Sequence, residues 1–209
     1  MSSAIYGKLA LTNLKNNRKT YVPYILTSIL TVMMYYIMDA LSRNDSIVDP
    51  SLQSVLTCAV GVIMIFAVIF LFYTNSFLIK RRKKEIGVYN ILGMGKRHIA
   101  QMLAVETVVT AVASIGAGLV FGIIFSKFMY LLLLKILHYD VRMDFEISGE
   151  SIRYTLILFV VIFLMTLVFN LFQIKVSNPV ELLRGGNQGE KEPKTKWLLT
   201  LAGVLLLGT

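Results

Sequence analysis

The sequence predicts an all-α membrane protein, with four transmembrane helices, the start of a fifth, and a short helix in the connection between spans two and three. Three observations carry that reading. Hydrophobic residues make up 56% of the 209 positions, above the roughly 45–50% usual in soluble domains. They are gathered into blocks near the ~20 residues that one bilayer crossing needs. The basic residues alternate from one connection to the next, as they do when every second connection faces the cytoplasm.

Taken in order, residues 1–20 read as an amphipathic N-terminal helix. In Ala4–Arg18, Ile5, Leu9, Leu11 and Leu14 are interleaved with Lys8, Asn13, Lys15 and Asn17. Such a segment suits the membrane interface, and a solvated leader is the plainer alternative. Residues 21–40 hold the first span, Val22–Met38, with Pro23 expected in its first turn, where a missing N–H costs little. No small-residue cleavage site follows at Met38-Asp39-Ala40, so this block is read as a retained span. Asp39–Gln53 is a polar connection. Val55–Ile79 is the second span, expected to stop at Lys80–Lys84.

Ile99–Leu137 is apolar for longer than one crossing requires, so it is either strongly tilted or projects beyond the membrane. Within it Ser114, Gly118 and Gly122 recur every fourth residue, placing small side chains on one face where another helix can approach closely. His138–Ser151 is a second polar connection, and Ile152–Ile174 is the fourth span. Residues 177–196 form a polar linker. Trp197 then opens an apolar run that stops at Thr209, about half a crossing later. The chain is therefore expected to be the N-terminal part of a longer protein.

Charge sets the expected orientation. Lys8, Lys15, Arg18 and Lys19 precede span one. Lys80, Arg81, Arg82, Lys83, Lys84, Lys96 and Arg97 lie between spans two and three, and Lys175, Arg184, Lys191, Lys194 and Lys196 follow span four. The opposite connections hold Arg43, and Lys135, Arg142 and Arg153. The N-terminus and the basic connections are thus expected in the cytoplasm. In this setting the net charge of +9 reflects cytoplasmic loops and anionic lipid, and no nucleic-acid partner is expected.

Several chemistries have no support. The single cysteine, Cys58, cannot form an internal disulfide and reads as a small core residue. His98 and His138 lie in different connections, and no metal site follows from them. No nucleophile–base pair or phosphate loop is present; Gly93–Lys96 lacks the upstream glycine and the strand of a nucleotide-binding loop. No catalytic residue is expected.

The connection Lys80–Glu106, KRRKKEIGVYNILGMGKRHIAQMLAVE, is the most patterned part of the chain. Ile86, Tyr89 and either Asn90 or Gly93 fall on one helical face, and Val88, Ile91 and Leu92 on an adjacent one. Gly93-Met94-Gly95 reads as a helix stop and turn. Composition leaves two roles open: a docking element for another protein, or an interfacial helix on lipid headgroups. Glu106 lies just inside span three, beside the basic connection. It is expected to have a structural role, reaching water or a lysine.

These residues resemble the start of the FtsX-like permease domain of ABC transporters. The resemblance rests on Lys80-Arg81-Arg82, Glu85-Ile86-Gly87, Leu92-Gly93-Met94 and Glu106, and on Asn178-Pro179-Val180-Glu181-Leu182-Leu183-Arg184 after the fourth span. It implies a permease domain at residues 54–176 with three spans. One span before it and another after it resemble the BceB-type subgroup, which works in resistance to antimicrobial peptides such as bacitracin. The resemblance implies that Lys84–Met94 is a coupling helix on a cytoplasmic ATP-binding subunit, present in two copies. Glu85, Ile86, Gly87, Tyr89, Asn90, Leu92, Gly93 and Met94 would meet that subunit. ATP and magnesium would sit on the subunit and no cofactor on this chain. A membrane histidine kinase would be a further partner, membrane lipids would surround the spans, and the setting would be a bacterial cell membrane. Two rivals share the domain: a non-transporting FtsX-type regulator of a cell-wall hydrolase, and a lipoprotein or macrolide exporter. The latter needs a large domain after span one, for which Asp39–Gln53 is too short.

Overall fold

A computed structural model describes residues 12–14, 16–44, 50–91, 93–136 and 147–176. The linker at 177–196, its Asn178–Arg184 segment, the run at 197–209, Leu92 and most of the N-terminal amphipathic segment lie outside the described residues. Four helices follow a short helical turn at 12–14: α1 (Arg18–Ser42), α2 (Pro50–Ile91), α3 (Lys96–Ile136) and α4 (Gly149–Val176). All four are long and apolar enough to cross a membrane, as the sequence predicts. Their outward faces carry large apolar side chains such as Val62, Tyr73, Val112, Ile124, Val161 and Phe172. In water such a surface would be unsustainable, whereas against lipid it costs nothing.

Local chemistry fixes the helix ends. Pro50 opens α2 at a position whose N–H would have no partner anyway. The Ser148 hydroxyl accepts the Ser151 backbone N–H at 3.2 Å and caps α4. Gly93 adopts φ +87°, and the Met94 N–H reaches back to the Tyr89 carbonyl at 3.0 Å. This is the glycine-terminated helix stop expected at Gly93-Met94-Gly95. The Gly95 carbonyl then receives the His98 N–H and starts α3.

Three expectations are corrected. α2 does not stop at Lys80–Lys84; it runs unbroken for 42 residues, about 63 Å at 1.5 Å per residue. Lysine, arginine and glutamate are good helix formers, and beyond the hydrocarbon water solvates them without breaking the ladder. Lys84–Ile91 is therefore the last turns of α2 and not a separate helix. Likewise α1 begins at Arg18, because the Asn17 carbonyl takes the N–H groups of Thr20 and Tyr21. Pro23 consequently falls beyond the first turn. Cys58 is exposed on the outside of the bundle, where it does not serve as core.

α1 is the hub, packing against α3 along most of its length and also against α2 and α4. The small-residue stripe on α3 explains the intimacy. Ser114, Gly118 and Gly122 are all buried, and Ser126 and Tyr130 continue the same four-residue step. A Cβ added at Gly118 would lie 2.6 Å from Val32 Cβ, and one at Gly122 would lie 2.9 Å from the Tyr36 ring. Gly118 and Gly122 face Val32 and Tyr36, four residues apart on each helix, so α1 and α3 run parallel. The central core gathers Tyr24, Val32, Tyr35, Ala67, Leu71 and Phe159.

Polar groups are threaded through this apolar bundle. Asn75 of α2 and Asn170 of α4 exchange amide hydrogen bonds of 2.8 and 3.2 Å. At the end away from the basic connections, buried Asp39 accepts from Arg43 Nε at 3.0 Å. Arg43 also stacks over the Tyr154 ring at 4.3 Å. Burial opposes the Arg43 charge, but the hydrogen bond and carboxylate of Asp39 outweigh it and raise its pKa.

Candidate functional site

The α2–α3 turn and the start of α1 share one end of the bundle, and two features meet there. One is a buried ionic cluster. Arg82 and Glu106 are each only 2% exposed. They form a two-pronged ion pair: Arg82 Nη1 donates to Glu106 Oε2, and Nη2 donates to Oε1 at 3.2 Å. The carboxylate also accepts from the Tyr21 hydroxyl at 2.7 Å and from the Asn13 amide at 2.8 Å. Arg82 Nη1 donates to the Tyr21 oxygen as well. Glu106 thus has the structural role expected of it, but its partner is an arginine and two neutral donors in place of water or a lysine. This saturation is what allows two full charges to sit inside the bundle.

A small cavity of about 10 Å³ adjoins the cluster, lined by Tyr21, Glu106, Thr110, Asn75 and Asn170 together with apolar Leu78, Ile79 and Leu103. Its size is at the threshold for a single water. It brings the ionic cluster and the asparagine pair to the two sides of one space.

The second feature is the exposed tip. Glu85 stands at its border with the cluster. Its carboxylate accepts from the Asn17 amide at 2.9 Å and from Arg82 Nε at 3.4 Å, while its side chain stays 38% exposed. Outward from it Val88 is 47% and Ile91 65% exposed. Lys80, Arg81, Gly93, Gly95, Lys96 and Arg97 are exposed around them. Arg81 is steadied over the Phe77 ring at 4.7 Å.

The residues singled out from sequence divide between surface and interior. Glu85 and Gly93 are on or at the rim of the surface. Ile86 is 2% exposed and packs with Ile79, Ile99, Leu103 and Ile174, and Tyr89 and Met94 lean on that same cluster. Gly87 is buried. Asn90 lies on the helix, and Leu92 lies outside the described residues. The face turned outward is therefore the adjacent one, with Val88 and Ile91, and Ile86 serves to lock the turn onto α3 and α4.

The pairing of Glu85 with Arg82 was legible from their spacing, but Arg82, Asn13 and Tyr21 as partners of Glu106, and Asn17 as a partner of Glu85, were missed. One signal was available: Glu106, Thr110, Ser114, Gly118 and Gly122 share a single four-residue step. The packed stripe of α3 therefore points Glu106 inward with it.

Residues 57–179 match the family described as FtsX-like permease C-terminal. An uncharacterized ABC transporter permease of Bacillus subtilis (strain 168), YvcS, is 28% identical over 96% of this chain and 32% of its own length. The bacitracin export permease protein BceB of the same organism is 30% identical over 97% of this chain and 33% of its own length. BceB of Halalkalibacterium halodurans is 27% identical over 89% of this chain and 29% of its own length. The chain thus spans about a third of the length of the curated relatives it matches. The family match takes in nearly all of α2, the Gly93 turn, α3 and α4, which is more than half of the chain; this chain belongs to the FtsX-like permease family.

Proposed function

We propose that this chain is the N-terminal membrane-spanning part of a bacterial ABC-transporter permease, with its basic end in the cytoplasm docked on a separate ATP-binding subunit. The observation that carries the proposal is the α2–α3 tip. Val88 and Ile91 are apolar, exposed and ringed by cations, on helices too long to end at the membrane surface. Exposed apolar side chains on an otherwise charged projection are the usual mark of a protein contact. The clustering of exposed Lys80, Arg81, Lys96 and Arg97 at that end supports the cytoplasmic orientation.

In this reading ATP and magnesium reside on the partner, two copies of which act together. Their movement pushes the tip, and the unbroken α2 and α3 carry the displacement through the membrane. Likeness to bacitracin export permeases supports antimicrobial peptides as the ligand class. We further propose that the peptide is exported or released from its target and that a histidine kinase is the signalling partner. This chain contributes no catalytic group.

Retention of the ATP-binding subunit on the intact, membrane-reconstituted protein tests the proposal. Val88→Asp or Ile91→Asp would put an unpaired charge into the contact and is expected to weaken retention about tenfold or more. Equal retention by both variants would overturn the docking assignment.

A further inference from the structure

The exposed cations at the basic end of the bundle stand at two heights. Arg18 and Lys19 of α1 and Lys80 and Arg81 of α2 form one layer, and Lys96 and Arg97 of α3 form the other. We propose that the first layer binds the headgroups of anionic phospholipids, apart from the tip that docks. The inference goes beyond the docking proposal and does not depend on it.

The ionic cluster supplies a common height, because Tyr21, Arg82 and Glu106 meet there from α1, α2 and α3. At 1.5 Å per residue, Lys80 and Arg81 lie within about 3 Å of it and Arg18 and Lys19 within about 5 Å. Lys96 and Arg97 are separated from Glu106 by unbroken helix and lie about 14 Å farther out. The lipid boundary falls at the same height. Val22, Phe77 and Val108 are 53%, 49% and 55% exposed, and each lies toward the span, within about a turn and a half of the cluster residue on its own helix. The headgroup region is about 5–7 Å deep on each side of the hydrocarbon. The first layer of cations therefore falls within it, and the second lies beyond it.

Arg81 has the most defined geometry of the four. Its guanidinium lies over the Phe77 ring at 4.7 Å, one turn nearer the hydrocarbon. Half-exposed Phe77 can meet an acyl chain while the steadied fork above it takes phosphate oxygens, for which a planar guanidinium is suited. Charge complementarity selects the headgroup. Glu85 is the one carboxylate within two turns of these four residues on either helix. It is turned toward the bundle by Asn17 at 2.9 Å and Arg82 at 3.4 Å. A headgroup with net negative charge is attracted to such a band, whereas a zwitterionic one would bring its own ammonium among the cations.

The test is native mass spectrometry of the intact protein released from nanodiscs of equal phosphatidylglycerol and phosphatidylethanolamine, without the ATP-binding subunit. The parent should retain phosphatidylglycerol in preference. Arg81→Gln and Arg18→Gln should each lower that preference roughly 5-fold, the worth of one cation at an anionic surface. Phe77→Leu should lower it about 2- to 5-fold by releasing the guanidinium from the ring. Lys96→Gln/Arg97→Gln should leave it unchanged, since that layer stands beyond the Debye length of about 8 Å. Equal retention of the two lipids by the parent, or a preference unmoved by both Arg81→Gln and Arg18→Gln, would overturn the proposal. So would loss of the ATP-binding subunit in those two variants with the lipid preference intact, which would give these cations to the docked protein instead.

Discussion

Arg82→Met and Glu106→Leu provide a quantitative test of how the bundle holds two charges. Both side chains are 2% exposed and joined by two hydrogen bonds, and Glu106 takes two further donors from Asn13 and Tyr21. Removing Arg82 leaves a carboxylate inside the bundle with only neutral partners. Removing Glu106 leaves a guanidinium there, with Tyr21 and half-exposed Glu85 near it. Breaking one side of a buried pair costs about 3–5 kcal/mol, whereas replacing the whole pair with apolar groups of similar volume is near neutral or stabilising. At about 2–4 °C per kcal/mol for a chain of this size, each single variant should melt roughly 6–20 °C below the parent. Arg82→Met/Glu106→Leu would still strand the Tyr21 hydroxyl, so Tyr21→Phe is added; the buried Asn13 amide also loses its carboxylate acceptor, at about 1–3 kcal/mol. That triple variant should therefore melt above both single variants, short of the parent by the cost of the Asn13 amide. Thermal unfolding in nanodiscs, followed by circular dichroism, reads all four proteins. Additive losses, with the triple variant worse than either single, would refute the argument that the singles fail through an uncompensated charge.

Two further perturbations probe the packing. Gly118→Ala would press a methyl against Val32 Cβ and Cγ1 at 2.6 and 2.7 Å and against the Ile29 carbonyl at 3.0 Å. It should lower stability by about 1–3 kcal/mol, while Gly116→Ala, with open space around it, should be neutral or slightly stabilising; melting temperatures distinguish them. Asn75→Leu should cost about 1–3 kcal/mol by stranding the buried Asn170 amide, and Asn75→Leu/Asn170→Leu should recover most of it; chemical unfolding of both variants checks the sign.

The spans were legible because each needs a run of apolar residues that no soluble helix would carry, and Gly93 because a left-handed helix stop requires it. The stripe of Ser114, Gly118 and Gly122 was legible from spacing alone. Which way Cys58 faces was not, since lipid and core are equally apolar and hydropathy cannot separate them. The continuation of α2 through Lys80–Lys84 was hidden because a run of cations marks the membrane boundary and says nothing about where the helix ends. Arg82 was hidden among five consecutive cations: only the arrival of Glu106 from α3 and Tyr21 from α1 selects it to turn inward. The hub role of α1 was obscured for a related reason. The family pattern covers the later spans, while the contacts that bury Gly118 and Gly122 come from Val32 and Tyr36 ahead of it. At the tip the sequence offered two adjacent helical faces and could not say which is covered: α3 and α4 bury Ile86, and Val88 and Ile91 are left exposed.

In the proposed function the α2–α3 tip meets an ATP-binding subunit. A photo-crosslinker at Ile91, 65% exposed at the tip, tests it most directly when compared with one at Tyr73, 73% exposed on the apolar face of the same helix. In native membranes carrying the intact protein, Ile91 should capture the ATP-binding subunit and Tyr73 should capture lipid. Capture of lipid alone at both positions would contradict the account and leave the tip as an interfacial segment.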